Sequence, residues 1–383
     1  MEGVPRPRLF LIDSYGFIFR AYHARARSAA PPMRTTSGLS TEAVYIFHNM
    51  IRKLLATYKP EYIAAVFESG GPTFRDEAFA EYKANRAEMP PDLGEQIPYV
   101  RRTLEAMRIP ILEYRGFEAD DVIGTIACRC AGSEVDVVIV SSDKDMLQLV
   151  NDRVSMYNPV KENVWYDPPT AEEFIGVKPG QVADLLALMG DTIDNIPGAP
   201  GIGEKGARDI IGKFGSVEAA LERANEVERK MYRESLLNNR DRIVLSKKLA
   251  TIETNVPIEF SVQTVRAQEP DLGALKQVYK ELEFFSLLKE IGPTEDSHTR
   301  DYQAFSEAAA LEDWFAQIPS DAVIAVAVRP AEDLTPAHIG FAWRVDEGRS
   351  ASLDVVKESP RAMALLASDQ PKLAHDVKSA VVA

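Results

Sequence analysis

Three short apolar runs constrain this chain more than any other feature: RLFLIDS (8–14), YIAAVFES (62–69) and VDVVIVSS (135–142). None shows the strict apolar–polar alternation of a half-exposed strand, and each breaks off at a polar cluster. Runs of this kind mark parallel strands buried on both faces. Segments of helical pattern lie between them, including TEAVYIFHNMIRKLLATY and ADDVIGTIACRCA. The alternation predicts an α/β fold, a mostly parallel central sheet flanked by helices. Ligands of such sheets bind beyond the carboxyl ends of the strands. There the three runs each meet an acid: Asp13, Glu68 and Asp143.

More carboxylates follow at other element ends. FEADDV holds Glu118, Asp120 and Asp121 at a helix start, SSDKD adds Asp145 beside Asp143, and GDTIDN holds Asp191 and Asp194. The i, i+3 spacing of the last pair predicts one helical face. Any one of these pairs is as readily a solvated cap or surface charge. Nine acids at strand ends and helix starts are harder to explain that way. Converging carboxylates without His or Cys ligands favour a hard divalent cation, Mg2+ or Mn2+. Two such ions serve phosphodiester hydrolysis.

Two further signals point toward nucleic acid. GAPGIGEKGARDIIGKFGSVEAAL (198–221) predicts a Gly-Ile-Gly turn between two short helices, a helix–hairpin–helix. In it Gly201 and Gly203 would let the backbone approach a phosphate, with Lys205 and Arg208 adding charge. The segment GPTFRDEAFAEYKANRAEMP interleaves Arg75, Lys83 and Arg86 with aromatics that include Tyr82. Lys83 and Arg86 would share a helical face, and basic–aromatic composition suits single strands. Arg20 lies in a second basic stretch after the first strand. A charged amphipathic helix is more often plain solvated surface; beside an acidic cluster that reading weakens.

The 383 residues allow two domains, and 45% apolar with 27% charged content is ordinary for a globular chain. A net charge of −14 argues against a protein that coats nucleic acid, though not against an enzyme acting on it. No run approaches the ~18–20 apolar residues of a membrane span. Two cysteines are too few for a disulfide framework, so a reducing cytoplasm is expected. The pattern is helical from about 168 to 285. The polar run GPTEDSHTRD (292–301) reads as a linker, and DAVIAVAVRP, HIGFAWRV and SASLDVV read as strands of a second domain. The chain stops at Ala383 within KLAHDVKSAVVA, which has the pattern of an unterminated helix, so a fragment is expected.

In order along the chain, LFLIDSYGFIFRAYHA, VFESGGPTFRDEAFAEYKANR, GFEADDVIGT, SSDKDMLQL and GDTIDNIPGAPGIGEKGA resemble the 5′ nuclease domains of bacterial polymerases, part of the flap-endonuclease family. The resemblance covers residues 8 to about 290. It implies a nuclease domain at 1–290, with an α/β core of the PIN type over 8–167 and a helical region over 168–290. The helix–hairpin–helix falls at about 192–221 within that region. It implies metal ligands at Asp13, Glu118, Asp120, Asp121, Asp143, Asp145, Asp191 and Asp194. Lys83 and Arg86 would be the phosphate-steering catalytic cations, with Arg20, Arg75, Tyr82, Gly201, Gly203, Lys205 and Arg208 binding DNA. Glu68 departs from the family's aspartate; it keeps an oxygen ligand on a longer stem. Two Mg2+ ions, or Mn2+, and a monovalent cation at the helix–hairpin–helix would be the cofactors.

The activity implied is 5′–3′ exonuclease and 5′-flap cleavage on branched or nicked DNA and RNA–DNA primers, by a monomer at the nucleoid and not at a membrane. After a linker at 291–303, residues 304–383 resemble the start of a ribonuclease H-like 3′–5′ exonuclease domain. VIAVAVRP lacks the family's acids there, and Ala380 stands where an aspartate is usual, as in inactive versions. Two rivals are a binding-only module, which needs no converging acids, and a NYN- or PIN-type ribonuclease, which normally lacks the helix–hairpin–helix.

Overall fold

The computed structural model describes residues 6–26, 32–132, 135–159, 164–292, 301–330, 336–344 and 347–374. The chain divides into two compact units, Met1–Thr294 and Glu295–Ala383. The first is built on a sheet of β1 (Arg8–Asp13), β2 (Tyr62–Val66), β3 (Ile111–Leu112), β4 (Asp136–Val140), β5 (Val154–Asn158) and β6 (Val164–Tyr166). Their spatial order is β3-β2-β1-β4-β5-β6. Pairing is parallel throughout except that β6 runs against β5.

The apolar runs are continuous because both faces of β1 and β4 are covered. Leu9, Leu11, Val137 and Ile139 pack on one side with Val122 and Ile126 of the helix Ala119–Ala131. Phe10, Ile12 and Val138 pack on the other with Phe17 of the helix Ser14–Ala26 and with Phe47 and Ile51 of the helix Glu42–Tyr58. Each such side chain contributes about 1.5–3 kcal/mol by leaving water. The chain moves from β1 to β2 on one side and later to β4 on the other, so the order reverses at β1. That reversal opens a crevice at the strands' carboxyl ends, where Asp13 ends β1 and Ser141–Asp145 follows β4.

Several expectations need correction. Residues 79–86, read as helix, form successive turns; the helix there is only Phe74–Ala78. GDTIDN is likewise a turn, closed by the Asp191–Ile196 bridge. The two turns dock on one another: Lys83 N–H donates to the Asp194 carbonyl (3.0 Å), and the Asn195 side-chain amide donates to the Glu81 carbonyl (2.6 Å). Lys83 and Asn195 both take left-handed backbone, φ +56° and +55°, which helical continuation forbids. Tertiary contacts override local spacing here. The strands β3, β5 and β6 had no clear signal in the apolar runs.

The second unit has its own sheet, made of β7 (Asp301–Phe305), β8 (Ile324–Pro330), β9 (Pro336–Arg344), β10 (Glu347–Ser352) and β11 (Lys372–Ala374). Its order is β11-β8-β9-β10-β7. SASLDVV is strand only as far as Ser352, whose hydroxyl caps the helix Leu353–Lys357. KLAHDVKSAVVA opens as the strand β11 rather than as helix; Ala380 lies outside the described residues. The expected linker narrows, since the helix Phe285–Ile291 runs into it and β7 begins at Asp301.

Candidate metal and nucleic-acid site

At the end of β1, Asp13 is buried and held by two donors. The Ser141 hydroxyl donates to Oδ2 (2.8 Å) and the Gly16 amide to Oδ1 (3.3 Å). Gly16 is required at its position, because an added Cβ would fall 2.5 Å from the Asp13 carboxylate. Burial, with the charges of Asp143 and Glu68, pushes Asp13 up to about 6 against those two hydrogen bonds. Asp120 is raised well above the carboxylate range, by burial first and then by Asp143, Asp13 and Glu118. Asp143 is raised by the protein around it, with Asp194 and Asp191 adding. Asp145 is pushed up to about 8 by burial, Asp143, Asp191 and Asp194, although Lys144 pulls it back.

Carboxylates whose charges act on the same four raised acids share one field. The structure therefore gathers Asp13, Glu68, Glu118, Asp120, Asp143, Asp145, Asp191 and Asp194, across 182 positions of sequence from 13 to 194. Asp121 is the exception. Its oxygens accept two hydrogen bonds from Arg75 (2.7 and 2.8 Å) and the amides of Glu118 (3.1 Å) and Glu253 (2.9 Å). Every lone-pair direction is taken by protein donors, which sets Asp121 apart from the other acids expected to hold metal.

Arg75 changes with it. It is 2% exposed and also donates to the carbonyls of Leu249 and Thr251, both at 2.9 Å. This guanidinium ties the core to the strand-free segment after 249 and has no surface for DNA. Tyr82 is also buried, so it offers no ring face to a base. Its hydroxyl lies 3.2 Å from Glu118 Oε2 and 3.4 Å from Asp194 Oδ2. Those two acids hold the expected catalytic cations: Lys83 Nζ is 2.7 Å from Glu118 Oε1, and Arg86 donates twice to Asp194 Oδ1 (3.1 and 2.6 Å).

The helix–hairpin–helix forms between the helices Val182–Met189 and Glu204–Phe214. Gly198, at φ +60°, packs so closely on Gly190 that an added Cβ would lie 2.5 Å from the Gly190 nitrogen. Gly201 is left-handed at φ +77°, and Gly203 caps the second helix with open space at its Cα. Lys205 is exposed beside it. Arg208 instead turns inward, donating to the Ile175 carbonyl (2.7 Å) and to Glu204 (2.6 Å), so its expected DNA contact is weakened by its own fold. Arg20 is exposed on the helix Ser14–Ala26.

Residues missed in the sequence include Ser141, fully buried, which also accepts the Asp143 amide (3.0 Å) and so couples Asp13 to the next loop. Lys144 was missed too; its Nζ is 3.7 Å from Asp191 Oδ2. The paired serines after β4 and the lysine between two acids were the available signals.

The donor set suits a hard cation. It is all oxygen and mutually repelling, Asp13, Asp120, Asp143 and Asp145 are raised, and Asp145 Oδ1 is buried with no hydrogen-bond partner. Among the described residues no three such side chains are drawn tightly enough to grip one ion directly.

A crevice at a sheet reversal, rimmed by raised carboxylates and backed by cations, defines a hydrolase-type α/β site for phosphate chemistry. A family model described as 5′-3′ exonuclease, N-terminal resolvase-like domain, matches residues 8–176, and one described as 5′-3′ exonuclease, C-terminal SAM fold, matches residues 177–273. The chain belongs to the 5′-3′ exonuclease family. It is 38% identical over 283 residues to the 5′-3′ exonuclease of Aquifex aeolicus, covering 74% of this chain and 94% of that protein. It is 39% identical over 290 residues to DNA polymerase I of Bacillus caldotenax, covering 75% of this chain and 32% of the relative. With DNA polymerase I of Pseudomonas aeruginosa it shares 37% identity over 364 residues, 90% of this chain and 39% of the relative. The chain thus spans about a third of the polymerases it matches. A structure of T5 5′-exonuclease with bound zinc superposes with a TM-score of 0.55 at 24% identity, over 75% of this chain and all of that one. The catalytic core of Rad2 with DNA substrate gives 0.51 at 19%, over 75% and 91%. At these identities the likeness is one of fold.

Proposed function

We propose that this chain is a divalent-metal-dependent, structure-specific 5′ nuclease that trims 5′ flaps and RNA primers from branched or nicked DNA, as the N-terminal part of a DNA polymerase I. The observation that carries the reading is the gathering of Asp13, Asp120, Asp143, Asp145 and Asp191 at the sheet's reversal, with Lys83 and Arg86 held at the same cluster by Glu118 and Asp194. Those five acids, with Glu68 at the rim, would hold Mg2+ ions. Bound there, such cations supply Lewis acidity and lower the pKa of water for attack on phosphorus.

The chain's own residues do the rest. Ser141 and Gly16 orient Asp13, and Tyr82 keeps Glu118 and Asp194 in place. Lys83 and Arg86 carry positive charge to the phosphate on which negative charge develops. The helix–hairpin–helix, through Gly201, Gly203 and Lys205, holds duplex backbone without reading sequence. The second unit is proposed as a catalytically silent 3′–5′ exonuclease-like domain. Its strand β8 carries no carboxylate, and the Pseudomonas aeruginosa match, at 90% of the chain, extends into it. Acting on DNA, the protein would work in the cytoplasm at the nucleoid.

A labelled 5′-flap duplex, incubated with and without Mg2+, tests the reading. Metal-dependent release of the flap supports it. Binding without cutting in Mg2+ or Mn2+, or cutting of plain single-stranded RNA alone, overturns it.

A further inference from the structure

Beside the carboxylate rim lies a cavity of about 320 Å3 that the mechanism above does not use. Ser142 and Lys144, from the loop after β4, form one wall, and Asn158, at the end of the neighbouring β5, forms another. Arg20 reaches it from the helix Ser14–Ala26, and Tyr166 and Phe174 supply an aromatic side. The two ring centroids lie 5.1 Å apart with their planes tilted by 51°, and Phe174 is 44% exposed. Lys144 belongs to both places: it lies between Asp143 and Asp145 and pairs loosely with Asp191.

Two cations and a hydroxyl in one cavity with a partly exposed aromatic ring match one chemical object, a phosphate joined to a planar base. The volume is at the small end of ligand pockets, suited to a single nucleotide. Contiguity with Asp143 and Asp145 through Lys144 makes it an extension of the cleavage site. We infer that this cavity seats one unpaired nucleotide of the strand being cut, with Arg20 and Lys144 on its phosphate and Phe174 against its base. The inference rests on the nuclease reading and adds a nucleotide subsite to it. Lys144 then has two occupations, held by Asp191 when no strand is present and by the phosphate when one is.

The test uses the full chain, a 5′-flap duplex at saturating Mn2+, and three free competitors: thymidine 5′-monophosphate, thymidine and inorganic phosphate. The expected result is competitive inhibition by the monophosphate at least tenfold stronger than by thymidine or phosphate alone. Phe174→Ala should weaken inhibition by the monophosphate about fivefold while leaving inhibition by inorganic phosphate unmoved, and should raise the KM for the flap more than it lowers kcat. Lys144→Gln should weaken both phosphate-bearing competitors, and Lys144→Arg should restore them. Both side chains are partly solvent-exposed, and a thermal melt verifies that each variant is folded. If the monophosphate inhibits wild type and both variants equally, the subsite is overturned while the nuclease stands. If wild type cuts no flap with any divalent ion, the nuclease reading fails and the subsite with it.

Discussion

Asp120 and Asp121 are neighbours on one helix turn, yet they belong to opposite electrostatic regimes. Asp121 sits in a closed knot with Arg75 and two backbone amides, every acceptor position used. Asp120 faces a rim where Asp13, Asp143, Asp145 and Asp191 crowd without enough protein donors, and burial pushes its carboxyl up. In the knot, opposite charge meets its partner inside the fold and stabilises it. At the rim, like charges are kept close against their repulsion, and only cations from outside relieve them. Charge satisfied internally supports structure; charge left unsatisfied supports function.

The contrast breaks first at the rim. Asp143→Asn should lower kcat for flap cleavage by at least about 10³-fold, the scale of losing one preorganised electrostatic group. The same variant should be no less stable than wild type in chelator, because one repulsive charge is gone. A variant that cuts normally, or that melts far earlier without metal, would put Asp143 in the structural class with Asp121.

The knot should respond in the opposite way. Arg75→Ala should cost about 3–5 kcal/mol in urea unfolding, since it strands a buried carboxylate. Arg86→Ala, at an exposed pair, should cost no more than about 1 kcal/mol while slowing cleavage about 100-fold, by the same electrostatic argument. Equal stability losses in the two would erase the distinction between knot and rim.

How much of this could be read from the sequence follows the same division. The buried strands were legible because continuous apolar runs have few alternative placements, and acids at their ends pointed to the crevice. Asp120 and Asp121 could not be separated. They differ by about 100° of helix rotation, and the decisive partner, Arg75, lies 46 positions earlier. The turns at 79–86 and 191–196 were misread as helix because i, i+3 spacing is local evidence. Their shape comes from docking on each other. Arg208 misled for a related reason, since a lysine or arginine at a helix start looks the same whether it faces solvent or a neighbouring carbonyl.

Acidity separates the regimes more gently. Asp13 and Asp145 are raised to about 6 and about 8 in the folded chain, against ~3.9 when unfolded. Between those values the folded state binds more protons, so without metal, stability falls as pH rises from about 4 toward 8. Divalent cations should abolish that slope, because they bind the ionised form. His48 gives the opposite limb. It is buried, bonded through Nε2 to the Tyr279 hydroxyl, and lowered to about 3, chiefly by burial and then by Arg52. Its contribution is present above about 6.5 and is lost as pH falls toward 3. Melts in chelator should therefore peak in mildly acidic solution, and Mg2+ should lift only the alkaline side. A Mg2+ effect equal at pH 5 and pH 8 would contradict a rim governed by these acids.

The smallest effect concerns Glu68, which ends the run after β2 and reaches the rim from an exposed position. Its charge bears on both Asp13 and Arg86. Among the described residues no protein group donates a hydrogen bond to its carboxylate, in contrast to the four on Asp121. It thus belongs with the rim acids, but at the margin, where solvent screens it. Glu68→Asp shortens the stem by one methylene and withdraws the carboxylate toward the backbone. The Mg2+ concentration at half-maximal cleavage should shift by about threefold, worth ~0.6 kcal/mol, with kcat at saturating Mg2+ unchanged within about twofold. A titration of cleavage against Mg2+ that superposes on wild type would remove Glu68 from the metal-facing set and leave it a surface charge whose nearness to Asp13 has no consequence.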